Sequence, residues 1–171
     1  MNGRDIILGL LVEKSRTGYE INKHFKTVFS HYYQTSYGMI YPTLKKLENE
    51  GFVEKKTIIQ DGKPNKNLFI VTEEGKKEFE KSLSNEIIDD VYTSEFLVRM
   101  YFGEYVSDEI IAELILEQMK KIEQRVAQLS EDLVEWETVM NDTQRLTYDI
   151  RLNQYEAELK ILRSQLPKYE K

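Results

Sequence analysis

Three short amphipathic stretches open the chain, and each stops where its period breaks. Ile6, Ile7, Leu10 and Leu11 share one face of a helix spanning about residues 3–14, closed by Lys14 and the polar Ser15-Arg16 link. Thr17-Gly-Tyr-Glu20 is a capping box, with Ile21, Phe25 and Val28 on one face behind it, and it predicts a second helix over about 17–29. A third runs from Ser36, a suitable N-cap, to Glu50, where Gly51 supplies a left-handed stop that residues with a Cβ resist. Its apolar stripe, Ile40, Leu44 and Leu47, should point inward, so the stripe of Tyr37, Tyr41, Lys45 and Glu48 must point elsewhere. Pro42 is expected in the second turn, where loss of a backbone donor should kink or loosen the helix.

After Gly51 the pattern turns from helical to extended. Residues 52–59 and 68–71 are rich in Val, Ile and Phe, and the turn-forming run between them predicts a β-hairpin with a basic tip. Thr72 then caps a fourth helix over about 73–83, with Glu73 and Glu74 in its first turn. Three helices followed by a two-stranded hairpin is the order of a winged helix-turn-helix.

The second half is long helix. Ile115, Met119, Ile122, Val126, Leu129, Leu133, Trp136 and Met140 alternate spacings of 4 and 3, a heptad seam that needs a facing helix. Tyr148, Leu152, Tyr155, Leu159, Leu162 and Leu166 form another, and Asn141-Asp-Thr143 can turn the chain between them. The first of these helices, from Ser107 to Met140, should be roughly 50 Å long. Residues 86–105 are apolar enough to be helical as well. The expected fold is thus mainly α with a small β-hairpin: a winged helix-turn-helix over 1–84, and long antiparallel helices over 85–171 that mediate dimerisation or, alternatively, cover one another within one chain.

Charge sharpens this division. The 171 residues carry a formal charge of -6, yet residues 1–72 hold 11 Lys and Arg against 7 Asp and Glu, while 73–171 hold 13 against 23. It is the local field that meets phosphate, so an acidic protein can present a basic face. The chain has no cysteine, which excludes disulfides, thiol catalysis and cysteine metal sites and fits a reducing cytoplasm, the expected location. The apolar run at Ile6–Val12 is far too short to cross a membrane, and no targeting segment is expected. Enzyme chemistry has little to use. His24 and His31 are the only imidazoles and lack an identifiable third metal ligand, Asp89 and Asp90 read as a solvated helix face, and neither nucleophile-elbow nor phosphate-loop glycines occur. No metal or cofactor is expected.

Several strings resemble the PadR family of bacterial regulators: Ile7-Leu-Gly-Leu-Leu11, Gly18-Tyr-Glu-Ile21, the whole of Ser36 to Gly51, and Val71-Thr-Glu-Glu-Gly75. The Tyr41-Pro42 step is the most specific of these. Glu95-Phe-Leu-Val-Arg-Met-Tyr-Phe102 is similar to the opening of the C-terminal domain in the longer branch of the family. The resemblance implies a homodimer held by the C-terminal helices, two winged domains on a pseudo-palindromic operator, and repression relieved by a small, often aromatic, ligand. One departure is visible in the wing, Gly62-Lys-Pro-Asn-Lys-Asn-Leu-Phe69, which has asparagine where arginine is common in the family.

On this reading the third helix enters the major groove, with Ser36, Tyr37, Gly38, Tyr41, Pro42 and Lys45 as its DNA-facing stretch, and Lys63 and Lys66 of the hairpin grip phosphate. The dimer seam is Ile115, Met119, Ile122, Val126, Leu129, Leu133, Trp136 and Met140 with Leu152, Tyr155, Leu159 and Leu162. Tyr92, Phe96, Tyr101, Phe102 and Trp136 are candidates for an effector pocket, although aromatics at helical spacing also serve as ordinary core. The competing function is a winged-fold, coiled-coil protein-interaction module that does not bind DNA.

Overall fold

The computed structural model describes residues 1–33, 37–59 and 65–170, except for the side chain of Tyr37. Ser36 and Lys63, and the tip of the wing, lie outside the described residues. Two compact units are present, Met1–Asp89 and Asp90–Lys171.

In the first unit, α1 (Gly3–Glu13) and α2 (Gly18–Lys26) start where the sequence places them. The capping box of α2 is complete: Thr17 Oγ1 accepts from Glu20 N at 3.2 Å, and Glu20 Oε2 accepts from Thr17 N at 2.7 Å. The second helix ends at Lys26, short of residue 29, and gives way to a 3-10 turn at Phe29–His31. Thr27, its C-cap, has left the helical region, so Val28 is half-buried and does not extend the inward stripe.

The third helix is the largest correction to the sequence reading. A 3-10 turn at Tyr37–Met39 precedes α3 (Ile40–Asn49), so Pro42 falls in the first turn rather than the second. First-turn amides have no intrahelical acceptor, and proline there removes a donor that the helix does not need. The expected kink therefore has no cause. At the other end Gly51 has φ +77°, Phe52 N donates to Leu47 O at 3.0 Å and Gly51 N to Glu48 O at 3.1 Å, which is the Schellman arrangement.

The wing consists of β2 (Val53–Ile58) and β3 (Lys66–Val71), antiparallel, with Val53 opposite Val71 and Ile58 opposite Lys66. A third strand, β1 (Arg16–Thr17), was not legible in the sequence. It pairs with β3, Arg16 opposite Phe69 and Thr17 opposite Leu68, giving the order β1-β3-β2. The second residue of the supposed polar link is in fact buried: Arg16 turns inward and its guanidinium donates to the carbonyls of Leu10 and Lys14 and pairs with Glu13 at 2.7 Å, closing the C-terminal end of α1. α4 (Glu73–Leu83) completes the unit, capped by Thr72. The core is Ile6, Ile7, Leu8, Leu10 and Leu11 of α1, Ile21 and Phe25 of α2, Ile40, Leu44 and Leu47 of α3, and Val53 and Phe69 of the sheet.

The second unit holds α5 (Glu95–Tyr101), α6 (Asp108–Trp136) and α7 (Asp142–Gln165). Residues 85–94 are not helical, so helix occupies only the later part of 86–105. α6 is about 43 Å long and ends at Trp136, a turn before Met140, where Thr138 and Val139 bring β-branched side chains that disfavour helix. Asn141 caps α7 in a capping box with Gln144. The two helices form an antiparallel hairpin crossed by Gln118–Glu158 at 2.9 Å, Glu123–Arg163 at 2.8 Å and Glu137–Arg145 at 3.2 Å.

The heptad seam divides in two. Ile115, Ile122 and Leu129, seven residues apart, are buried against α7 of the same chain, as are Tyr148, Tyr155, Leu159 and Leu162 in return. Met119, Val126, Leu133, Trp136, Met140 and Leu152 are only half-buried. Within one chain the seam thus closes the hairpin's own core and leaves its second row partly open.

The left-handed backbone at Gly51 gives the first test. Gly51→Ala is expected to lower the free energy of unfolding by about 1 kcal/mol, read as a lower urea midpoint at unchanged slope.

Candidate DNA-binding face

α3 sorts its side chains by depth. Ile40, Leu44 and Leu47 are at most 1% exposed, whereas Tyr41 is 63% exposed and Gly38, Pro42 and Lys45 are exposed beside it. The described members of the predicted stretch therefore share one solvent-facing surface. Glu48, assigned to the same outer stripe, is half-buried.

Tyr41 is exposed but not loose. Its ring lies across Gly18, the first residue of α2, so closely that a Cβ at position 18 would sit 2.6 Å from the ring edge and 3.0 Å from the hydroxyl oxygen. Only glycine permits this approach. The Tyr41 ring is thereby laid over the start of the preceding helix rather than projecting freely from its own.

Between α3 and the base of the wing runs a groove of about 570 Å³ lined by Thr17, Gly18, Tyr19, Glu20, Tyr41, Asn65, Lys66, Asn67 and Phe69. It joins two predicted site residues, Tyr41 and Lys66, that are distant in sequence. The sequence reading did not assign Tyr19, Asn65, Asn67 or Glu20 to the site, because only the pairing of β1 with β3 carries residues 17–20 to residues 65–69. Tyr19 is 74% exposed at the second position of α2, an unusual place for an aromatic with no core to fill, which was the one available signal.

The charges in the groove are of both signs. Lys66 Nζ lies 3.8 Å from Glu20 Oε1. The Thr17 backbone N–H, and after it the Thr17 hydroxyl and the charges of Lys66 and Lys14, hold the Glu20 carboxyl below its ordinary pKa against a smaller opposing effect of burial. Lys45, Lys46, Lys55 and Lys56 are exposed on α3 and β2. Among the described residues no cluster of His, Cys, Asp and Glu is arranged to hold a metal, and no helix is long and apolar enough to cross a membrane.

The effector candidates are not gathered in this groove. Tyr92, Tyr101 and Phe102 are exposed, with Tyr101 and Phe102 edge to face at 5.1 Å, and Phe96 and Trp136 are half-buried.

Comparison with known proteins places this face in context. The transcriptional regulator PadR-like family matches residues 7–81. The negative transcriptional regulator PadR of Bacillus subtilis is 32% identical over 143 residues, covering 83% of this chain and 77% of the relative. The crystal structure of a PadR-like transcriptional regulator from Bacillus cereus superposes with a TM-score of 0.90 at 34% identity, over 99% of this chain and 98% of that one. Bacillus subtilis PadR in complex with operator DNA gives a TM-score of 0.82 at 27% identity over 98% of both chains, and the same protein in complex with p-coumaric acid gives 0.76 at 25% over 98% of both.

The packing of Tyr41 on Gly18 yields a direct test. Gly18→Ala should push the ring aside while leaving the melting temperature nearly unchanged, because the displaced group is the end of a flexible side chain. Tyr41 ring-proton NMR shifts that match the wild type would show that the ring does not rest there.

Proposed function

The chain belongs to the PadR-like family of transcriptional regulators, whose members regulate transcription rather than catalyse reactions, and we propose that it is a homodimeric repressor of a pseudo-palindromic operator, relieved by a small aromatic ligand. The observation that carries the DNA-binding part is the division of α3. One face is sealed in the core, and the other offers Tyr41, Pro42 and Lys45 to solvent, with Lys66 across the groove. A helix so held fits a major groove roughly 12 Å wide. Tyr41 packs on a thymine methyl or donates to phosphate, Gly38 allows close backbone approach, and Lys45 and Lys66 contribute charge. Ser36, Tyr37 and Lys63 belong to this proposal on sequence grounds. The operator complex of the Bacillus subtilis relative supports it.

Dimerisation rests on what one chain leaves uncovered. α5 has seven residues and none is buried, yet it carries Phe96, Leu97, Val98, Met100 and Tyr101. An isolated helix of this length does not persist in water, where roughly 12 residues or more are needed. Val91 and Tyr105 beside it are largely exposed too. An apolar surface of this kind calls for a protein partner, and a second copy supplies the two-fold match to a palindromic site. In this arrangement the half-open row of Met119, Val126, Leu133, Trp136, Met140 and Leu152 faces the second copy, while Ile115, Ile122, Leu129, Tyr155, Leu159 and Leu162 serve it by stiffening each hairpin. The p-coumaric acid complex of the relative is the support for an aromatic effector, with Tyr92, Phe96, Tyr101, Phe102 and Trp136 as candidate contacts.

Lys66→Ala should weaken binding to all DNA sequences alike and reduce the salt slope by roughly one unit, while Tyr41→Ala should change the preferred sequence. Binding selections and salt titrations read both effects, and absence of DNA retardation by the wild type at low salt would favour a protein-interaction module. For the dimer, sedimentation equilibrium should give twice 20.3 kDa for the wild type and 20.3 kDa for the variant with Leu97→Glu and Tyr101→Glu. A variant that stays dimeric places the interface elsewhere.

A further inference from the structure

Glu20 is out of place on a surface that meets phosphate. Its carboxylate lines the same groove as Tyr41 and Lys66, and its position is fixed: Oε2 accepts from both the amide and the hydroxyl of Thr17 at 2.7 Å, which leaves Oε1 turned to Lys66 Nζ at 3.8 Å. A side chain anchored by its own helix cap cannot swing away when DNA arrives. We infer that Glu20 is an electrostatic brake on DNA binding, holding the Lys66 ammonium in the free protein and competing for it with the phosphate backbone. The inference rests on the proposed DNA-contacting role of Lys66.

Two features set the size of the effect. Lys66 and Glu20 are each a little under half exposed, so their attraction is that of a surface pair, worth from nothing to about a fivefold change in an equilibrium constant. The carboxylate is ionised at neutral pH, as an ordinary glutamate is, and the hydrogen bonds from Thr17 favour that form further. Its action carries no sequence information, because it bears on a phosphate contact. It lowers affinity for every duplex and so limits the residence of the protein on non-operator DNA, whose excess in a genome makes general affinity costly to specificity.

The substitution Glu20→Gln separates charge from structure, because glutamine at the third position of a helix completes a capping box as glutamate does. Four proteins are compared on a mixed-sequence DNA duplex at low salt: wild type, Glu20→Gln, Lys66→Ala and the double variant, with melting temperatures measured in parallel. The expected result is a Glu20→Gln protein of unchanged melting temperature that binds about two- to fivefold more tightly, with the gain abolished when Lys66 is also replaced. Binding equal to wild type in Glu20→Gln, while Lys66→Ala binds more weakly, would overturn the brake and leave the DNA contact of Lys66 intact. A gain that persists in the double variant would overturn it as well, by showing that Glu20 acts on DNA without Lys66. If Lys66→Ala binds as the wild type does, the DNA contact of Lys66 fails first and the brake with it.

Discussion

The candidate DNA-binding face depends on a two-residue strand. Arg16 and Thr17 pair with Phe69 and Leu68, and this contact fastens the start of α2 to the base of the wing. With it in place, Thr17 caps α2, Glu20 lies beside Lys66, and Gly18 lies beneath the ring of Tyr41. Burying Arg16 here is tolerated because its guanidinium meets the carbonyls of Leu10 and Lys14 and the carboxylate of Glu13. A buried guanidinium without such partners would destabilise the strand rather than secure it.

A second set of contacts holds the far end of α3. The glycine stop at Gly51 turns the chain into the wing, and Arg4 of α1 reaches Glu50 at 3.0 Å and Glu78 of α4 at 3.4 Å while lying over the Phe52 ring at 5.1 Å. α3 is thus held at its C-terminal end through the contacts of Arg4 with Glu50 and Glu78, and near its N-terminal end the ring of Tyr41 rests on Gly18.

The second unit follows a different rule. Its long helices cover one another through one row of the heptad seam and leave the other row half open, and α5 buries none of its residues. An acidic, unfinished apolar surface and a basic winged face occupy opposite halves of the chain. In the proposed function, self-association falls to the acidic half and DNA contact to the basic one.

Local rules written in few residues were legible from the sequence: the capping box at Thr17, the N-cap at Thr72, the stop at Gly51, the inward stripe of α3, the hairpin and the heptads. Each depends on neighbours within about one turn or one repeat, which a pattern of spacings records. What the spacings did not hold was the partner of any element. Arg16 read as a polar link because arginine is usually at the surface, Pro42 read as a kink because the start of α3 was placed a turn too early, and the seam left a partner in the same chain and one in a second copy both open because a heptad names no partner. Tertiary structure decided these, since pairing a strand of two residues, shutting an arginine against carbonyls and setting a tyrosine on a glycine all require chain segments remote in sequence to arrive at one place.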